Sequence, residues 1–465
     1  MIILLSPHFY RQKVLEFKLL FVFLQPKVVN RVLHIMANIV NYVLHIVPMD
    51  VNCFLRIVGF DIGIMDRLFE RHDIYLSEVP MDYIRDFMHR IHWDSRLIIV
   101  KGPKGVGKST LLLQYIKKNF EADDRHVLYC SADTNYFATH TIVDLADTFV
   151  KRGGQWLFID EVHKYEGWSR EMKEVYDLYP KLHIVLSGSS LIQINDGQAD
   201  LSRRMLHYEM PGLSFREFLK LDVGLDIESI TLDVLLESPN KFCSHVRSLC
   251  HPLEHFSRYL KYGYYPFYFE SKRSYYNHLE DVVNYIVDVE LTKHRSIDVG
   301  NTRSLKALLQ VISQMTPYEV DIAKLSKATG ISRPSTLKYL THMEEASLIR
   351  RLFTDLKRVT DLQKPDKIYL DNSNLLYALC PQQPEIGTVR ESFFANQLAS
   401  AGHTVEYAGY KSGDFRIDAG TMIEVGGEDK GFSQLEGQGH AFVAADDIEF
   451  ASMRKIPLWA FGFLY

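Results

Sequence analysis

Cysteine is scarce in this chain of 465 residues, and no charge of one sign dominates it. The five cysteines include no Cys-x-x-Cys pair, so we expect neither a disulfide framework nor a cysteine zinc site, and a cytoplasmic location fits. With 53 Lys and Arg against 58 Asp and Glu, the net charge of -5 gives no whole-chain signal for nucleic-acid binding. No repeat of about 20–50 residues is evident, which argues against solenoids and propellers.

The sequence also lacks a clean membrane-spanning run. Residues 32–49 are uncharged, but they are interrupted by His34, Asn38, Asn41, His45 and Pro48. A spanning helix needs about 20 largely apolar residues, so we expect no membrane contact. Residues 1–64 are interpreted as an atypical apolar extension. Because Met65 would make a natural beginning, a start codon assigned too far upstream is favoured over an interfacial segment or an extra packed helix.

What the sequence does contain is a glycine-rich loop. Residues 102–109 match the phosphate-binding pattern G-x-x-x-x-G-K-[ST] at every fixed position. An apolar run precedes the loop and helical apolar spacing follows it, which is the strand–loop–helix context of this motif. Small residues let main-chain N–H groups approach phosphate oxygens. The predicted ATP-binding residues are Gly102, Pro103, Lys104, Gly105, Val106, Gly107, Lys108, Ser109 and Thr110.

Charged and hydroxyl side chains complete a predicted ATPase site. Lys108 is expected to reach the β- and γ-phosphates, and Ser109 to ligate Mg²⁺. The apolar strand 156–160 ends in an acidic pair, in which Asp160 is expected to hold Mg²⁺ and Glu161 to deprotonate the attacking water.

Another strand, at 183–190, ends in small hydroxyl residues. Ser187 or Ser189 is the candidate polar sensor near the γ-phosphate. An ordinary strand-to-loop turn explains these serines equally well.

Several motifs together resemble one family. They are the phosphate loop, Ile159 to Lys164, Leu186 to Ser190, Leu201 to Arg204, Leu213-Ser214-Phe215-Arg216-Glu217-Phe218, Tyr259 to Gly263 and Lys367 to Asp371. The set resembles bacterial and archaeal AAA-type P-loop ATPases that carry a C-terminal restriction-endonuclease-like domain of unassigned function. The resemblance covers roughly residues 65–465. It implies that Arg203 or Arg204 faces a γ-phosphate of its own or a neighbouring subunit, although a surface basic pair is an equally open interpretation.

Residues 301–360 have the pattern of a winged helix. Two short helices flank Gly330, and Ser332 and Pro334 suit the start of the second one. Duplex DNA is the expected partner, and domain packing is the alternative. The predicted DNA contacts are Arg333, Ser335, Thr336 and Lys338 in a groove, and Arg350, Arg351, Lys357 and Arg358 on phosphates.

The C-terminal region is expected to fold as helix, three strands, helix and strand. Restriction-endonuclease-like folds hold Mg²⁺ for phosphodiester hydrolysis with one acid on a helix and acids on two strands, while a lysine steadies the attacking water. The acids of this chain that match the pattern are Glu391, Asp414 and Glu424. Here Gly426 stands where that lysine is expected, so we favour a domain without nuclease activity. Lys430 substitutes only if the turn at Gly426 folds back.

These patterns predict an α/β protein with a P-loop parallel-sheet core. The expected domains are an AAA-type ATPase (65–210), a helical lid with an aromatic cluster that favours core packing over base stacking (211–300), a winged helix (301–370) and an endonuclease-like domain (371–465). The predicted activity is hydrolysis of ATP to ADP and phosphate with Mg²⁺, coupled to a nucleic-acid or protein partner or to homo-oligomerisation. A nucleotide-gated switch without turnover and an ATP-dependent DNA nuclease are the alternatives.

Overall fold

The computed structural model describes residues 62–188, 201, 203–292, 297, 299–315, 320–355, 363–409, 412–435, 437 and 439–465. The N-terminal extension up to residue 61 lies outside the described residues, as do Ser189, Lys357 and Arg358. The first described element is helix α1 (Ile62–Glu78).

A five-stranded parallel sheet follows, in the order β2-β3-β4-β1-β5. Its strands are β1 (Leu97–Lys101), β2 (Val127–Ser131), β3 (Trp156–Asp160), β4 (His183–Gly188) and β5 (Leu206–Glu209). Strands β1 to β4 are almost wholly buried, as apolar runs in a parallel sheet covered on both faces should be, whereas the edge strand β5 is mostly exposed. Helices connect the strands as α2 (Lys108–Asn119), α3 (Ile142–Lys151) and α4 (Trp168–Leu178). The predicted α/β core is confirmed.

A helical region comes next along the chain. It consists of α5 (Phe215–Val223), α6 (Leu232–Glu237), α7 (Pro239–Leu249), α8 (Pro252–Tyr262) and α9 (Tyr275–Tyr285), and α9 continues into a π-helical turn at Ile286–Leu291. Tyr259, Tyr264, Tyr265 and Tyr268 of the aromatic cluster are buried. The prediction that this cluster packs in the core is confirmed.

The described part of residues 302–370 forms three helices and a two-stranded antiparallel sheet. They are α10 (Thr302–Gln314), α11 (Ile322–Thr329), α12 (Arg333–Glu345), β6 (Ile349–Leu352) and β7 (Lys367–Leu370). Gly330 ends α11 in the left-handed conformation at φ 70°. The Ser332 side chain caps α12 by accepting from the Ser335 N–H, and Pro334 lies in the first turn, so both capping predictions are confirmed.

The C-terminal region begins with α13 (Ser373–Leu379) and α14 (Ile386–Ser400) and ends in a mixed sheet. The sheet strands, in spatial order, are β8 (Val405–Tyr407), β9 (Phe415–Ile417), β10 (Thr421–Gly426), β11 (Ala441–Ala445) and β12 (Lys455–Pro457). Pairing is antiparallel from β8 to β10 and parallel from β10 to β12. The helix expected after the third strand is wrong: the described residues there form only a 3-10 turn at Ser433–Leu435, in a stretch where four glycines disfavour a helix.

Residues 73–465 form one unit with a continuous apolar core. Phe215 of α5 packs edge-on against Phe463, and Phe256 of α8 does so against Phe393 of α14. The C-terminal region therefore packs directly on the helices that follow the parallel sheet. Among the described helices, none has the length and apolarity needed to cross a bilayer.

Candidate functional site

The phosphate loop connects β1 to α2 and bends in ways that require glycine. Gly102 has φ 151°, and a Cβ atom there would collide with the main-chain oxygen of Met210. Gly107 caps α2 in the left-handed conformation at φ 93°. Only glycine tolerates both the crowding and the conformation, so the loop follows the backbone path that brings its N–H groups close to a ligand.

The Lys108 ammonium lies buried inside this loop. Its Nζ donates to the main-chain oxygens of Gly102 at 2.9 Å and Pro103 at 2.8 Å. Burial lowers the pKa of Lys108 to about 8, while the nearby Glu161, Asp160 and Glu290 carboxylates act in the opposite direction. These two hydrogen bonds go to neutral oxygens, so neither of them neutralises the ammonium, whose charge suits an anionic ligand.

Asp160 ends β3 at the same edge of the sheet as the phosphate loop. It is 4% exposed. The Tyr129 hydroxyl donates to its Oδ2 at 2.7 Å, and the Ser187 hydroxyl donates to its Oδ1. The structure thus brings Ser187, the candidate sensor, into contact with the candidate magnesium ligand.

Glu161 follows Asp160 in the left-handed region, at φ 52° and ψ 37°. Its N–H donates to the Ser187 hydroxyl at 3.2 Å, and its carboxylate lies 3.4 Å from the His163 ring. A glutamate held in this sparsely populated conformation is strained, and such strain concentrates at functional sites. The turn directs Glu161 away from the continuation of β3.

The helical region supplies a second wall that sequence reasoning missed. The Phe267 ring lies so close to Gly105 that a Cβ there would be 2.9 Å from it. The Lys104 ammonium stands 4.0 Å from the centroid of the Tyr285 ring. Glu290 is buried in the π-helical turn and adds negative charge near Lys108. No local sequence pattern predicts these residues, because they contact the loop only through tertiary packing.

Arg85 supports the loop from the other side and was also missed. Its guanidinium donates to the Val106 carbonyl at 3.2 Å and pairs with Glu217 through Nε at 2.8 Å and a second nitrogen at 2.7 Å. Glu217 closes a capping box with Ser214 at the start of α5. The Ser214 hydroxyl donates in turn to the main-chain oxygen of Tyr465 at 3.0 Å. A buried polar network therefore connects the phosphate loop with the C-terminal segment.

A cavity of about 550 Å³ lies beyond the carboxyl ends of β2 and β3. Its walls include Ala132, Phe137, His163, Lys164, Tyr285 and Glu290. Ligands of open parallel sheets bind outside this edge. One of its lining residues, His163, lies 3.4 Å from the Glu161 carboxylate, and its walls are both aromatic and charged.

The arginine pair lies elsewhere. Arg204 precedes β5, where the sheet strands begin, and its Nε is 3.3 Å from Asp177 Oδ1. The phosphate loop leaves the opposite end of β1. The structure therefore does not bring Arg203 or Arg204 to the phosphate loop of their own chain.

The predicted DNA contacts are only partly exposed. Arg333 and Lys338 of α12 face solvent, and Ser335 is partly exposed. Thr336 is fully buried, and Arg351 is 8% exposed with its Nε 2.7 Å from Glu344. Arg350 pairs with Asp371 at 2.9 Å. The predictions that Thr336 enters a groove and Arg351 meets a phosphate are wrong, because packing against the rest of the chain uses these side chains.

The three C-terminal acids converge, each accompanied by hydrogen-bond donors. Lys367 Nζ lies 3.2 Å from Glu391 Oε2 and 3.1 Å from Asp414 Oδ1. Lys430 Nζ lies 2.5 Å from Glu424 Oε1. Burial and the neighbouring Asp414 raise the pKa of Glu391 to about 7. Within the described residues, no group of three or more His, Cys, Asp or Glu side chains is arranged to hold a metal ion.

The turn after β10 folds back, as the Lys430 alternative required. A Cβ atom on Gly426 would be 2.7 Å from the Lys430 side chain. The lysine thus crosses over the position where the sequence has glycine and reaches Glu424. Lys367, in contrast, had no predicted role at this site.

Comparison with known families finds a match over the segment that holds the phosphate loop. Residues 94–219 match a family described as AAA domain, which contains the phosphate loop and the acidic pair. The first sheet and its loop therefore lie in a segment that is similar to AAA domains. Residues 253–385 match a domain of unknown function, DUF8612.

The individual proteins that resemble this chain share little sequence identity with it. Uncharacterized protein MJ1637 of Methanocaldococcus jannaschii is 23% identical over 284 residues, which cover 58% of this chain and 60% of that protein. The solved structures include the Aeropyrum pernix ORC1 protein in complex with DNA, at 11% identity over 71% of this chain and 93% of the other, with a TM-score of 0.27. AMPPCP-bound DnaA from Aquifex aeolicus is 16% identical over 56% and 84% of the two chains, with a TM-score of 0.22. At these TM-scores the two structures carry no argument about this chain.

Proposed function

We propose that this protein binds ATP with Mg²⁺ at residues 102–110 and hydrolyses it to ADP and phosphate. One observation carries the proposal: the buried Lys108 ammonium lies in a glycine-shaped loop at the same end of the sheet as Asp160 and Glu161. A cation next to main-chain donors fits a polyphosphate, and the adjacent carboxylate fits its metal ion.

The residues present fit the cofactor. Ser109 and Asp160 would hold Mg²⁺, which supplies charge neutralisation for the phosphates when bound. Tyr129 and Ser187 fix the Asp160 carboxylate by donating to its two oxygens. Glu161 is the proposed general base for the attacking water, and its strained turn sets its direction.

The arginine pair suggests a role between subunits. Arg203 and Arg204 lie near the end of the sheet where the strands begin, and the phosphate loop lies at the opposite end. We therefore assign the two arginines to the ATP of a neighbouring subunit in a homo-oligomer. An arginine in that position stabilises charge that develops during phosphoryl transfer.

Residues 211–465 are proposed to couple the nucleotide state to a partner. The exposed Arg333 and Lys338 favour duplex DNA contact by α12. The domain limits predicted above (65–210, 211–300, 301–370 and 371–465) are part of this proposal. A nucleotide-gated switch is the competing function, since the same site binds ATP without turnover if Glu161 is badly placed.

Phosphate release distinguishes these functions. The experiment compares the wild type with Lys108→Ala and measures steady-state release with Mg²⁺ and ATP, with and without duplex DNA. We expect wild-type turnover, a loss of ATP binding in Lys108→Ala, and stimulation by DNA. ATP binding without phosphate release in either condition would establish the switch, and absence of ATP binding in the wild type would refute both.

A further inference from the structure

We infer that Lys367 closes the acid site of the C-terminal region, so that its ammonium takes the place between Glu391 and Asp414 that a divalent ion would need. The ion pairs of Lys367 then link β7 to α14 and to the residue before β9. The acid site is not a metal centre. This inference is independent of the proposed ATP hydrolysis.

The position of the ammonium is the first support. Lys367 Nζ lies within 3.2 Å of one oxygen from each carboxylate, and the lysine is 8% exposed. A magnesium ion bridging the same two residues would have to lie between the same oxygens. The lysine and the ion exclude each other because both need that volume and those lone pairs.

One oxygen of each carboxylate is also engaged by a neutral donor. The Tyr369 hydroxyl donates at 2.5 Å to Glu391 Oε2, the same oxygen that Lys367 contacts. The Val425 N–H donates at 3.0 Å to Asp414 Oδ2. Two main features of a metal ligand set, free lone pairs and room for water, are reduced at this pair.

The surroundings suit an ammonium better than a hydrated ion. The Tyr407 ring centroid is 5.2 Å from Lys367 Nζ and the Phe415 centroid is 5.9 Å away. Aromatic faces attract an organic ammonium at such distances. Magnesium usually retains several waters, and rings offer those waters no acceptors.

The remaining acid is neutralised separately. Lys430 pairs with Glu424, so two ammonium groups face the three carboxylates before any ion enters. Lys430 reaches only Glu424 among these acids by an ion pair, and it extends from a surface turn. It therefore serves as a matched control for the effect of removing one nearby positive charge.

Gain of metal binding is the decisive test. Mn²⁺ is titrated into the nucleotide-free full chain, and free Mn²⁺ is measured by electron paramagnetic resonance. The proteins are the wild type, Asp414→Asn, Lys367→Met, Lys430→Met and the Lys367→Met/Asp414→Asn double variant. Binding that Asp414→Asn removes reports the C-terminal acids, since any ion at Asp160 is unaffected by that change.

We expect no Asp414-dependent Mn²⁺ site in the wild type. Lys367→Met should gain one, with affinity raised at least about tenfold, because a charge about 3 Å from both acids is removed. Lys430→Met should gain less, and the double variant should lose the new site. A merely destabilised protein would not acquire tighter, Asp414-dependent binding.

Two results would overturn the inference. One is Asp414-dependent Mn²⁺ binding by the wild type, which needs no lysine variant. The other is a Lys367→Met protein that melts cooperatively and yet gains no site. If Lys367→Met does not fold, Lys367→Gln replaces it, and if neither folds the wild-type comparison with Asp414→Asn decides.

Discussion

The phosphate loop and the C-terminal acid cluster both combine a buried lysine with nearby carboxylates, but they arrange these groups differently. Lys108 donates to the main-chain oxygens of Gly102 and Pro103, whereas Lys367 donates to the carboxylates of Glu391 and Asp414. In the first site the cation and the acids have separate hydrogen-bond partners: the lysine bonds neutral oxygens, and Asp160 accepts from the Tyr129 and Ser187 hydroxyls. In the second they satisfy each other.

This difference shows that the presence of a lysine and carboxylates close together is not enough to define a ligand-binding site. What matters is whether the charges are paired before a ligand arrives. In the phosphate loop, the lysine bonds main-chain oxygens of the loop itself. The C-terminal sheet brings its lysine in from β7, an element outside that sheet.

The largest expected effect is on ATP turnover, and it should differ between Glu161 beside the phosphate loop and Glu424 in the C-terminal cluster. Glu161→Gln should reduce phosphate release by about 10²–10⁴-fold, because a general base is lost while the phosphate loop is kept. ATP binding should persist. Steady-state phosphate release and nucleotide binding are the measurements. Glu424→Gln is the matched control and should leave turnover near that of the wild type; equal losses in both variants would break the comparison.

Crowding at the loop predicts the next effect. Gly102→Ala should destabilise the fold by about 1–3 kcal/mol and weaken ATP binding, since its Cβ collides with the Met210 carbonyl. Gly167→Ala has a positive φ but open space around its Cβ, so it controls for conformational strain alone. Denaturation midpoints and ATP titrations give the result, and similar losses in both variants would rule out crowding.

The two lysines should also differ in their response to pH. The pKa of Lys108 is lowered to about 8, so its ammonium is fully protonated well below pH 8 and loses its proton above it. Because phosphate binding favours the charged form, the ATP dissociation constant should be flat below pH 7 and rise above pH 8 by up to about tenfold per unit. Burial acts to lower the pKa of Lys367, but the Glu391 and Asp414 carboxylates outweigh it and raise that pKa, so the Lys367 ammonium should stay protonated over this range.

Calorimetric ATP titrations from pH 6.5 to 9.5 test this profile. Lys108→Arg should flatten it from a weaker starting affinity, because a guanidinium stays charged throughout. An affinity that stays constant up to pH 9.5 in the wild type would show that Lys108 does not titrate in this range.

The smallest effect concerns the network between the two regions. Ser214→Ala should cost about 1 kcal/mol of folding free energy by removing a helix cap. It also removes the donor to the Tyr465 main-chain oxygen, so the loss should exceed that of Thr231→Ala, another capping change without such a contact. Urea denaturation of both variants provides the comparison. An equal loss of folding free energy would show that the Tyr465 contact does not contribute to stability.

Sequence predicted the features that are local. The phosphate loop, the acidic end of β3 and the caps of α12 each depend on residues within a few positions, and the fold places them as expected. The contributions of Arg85, Glu290 and Lys367 depend on elements far apart along the chain, and no nearby pattern marks them. Arg351 illustrates the reverse error, since a basic residue in the sequence does not reveal that Glu344 and the core enclose it.

The Arg85 guanidinium has a mechanical consequence for this molecule. One rigid planar group is bonded both to the Val106 carbonyl and to the Glu217 carboxylate that starts α5. A displacement of the phosphate loop by a few tenths of an ångström would stretch these bonds unless α5 and the segment at Tyr465 moved with it. A change in the position of the phosphate loop would therefore tend to move α5 as well, because the loop and the helix share one hydrogen-bonded guanidinium.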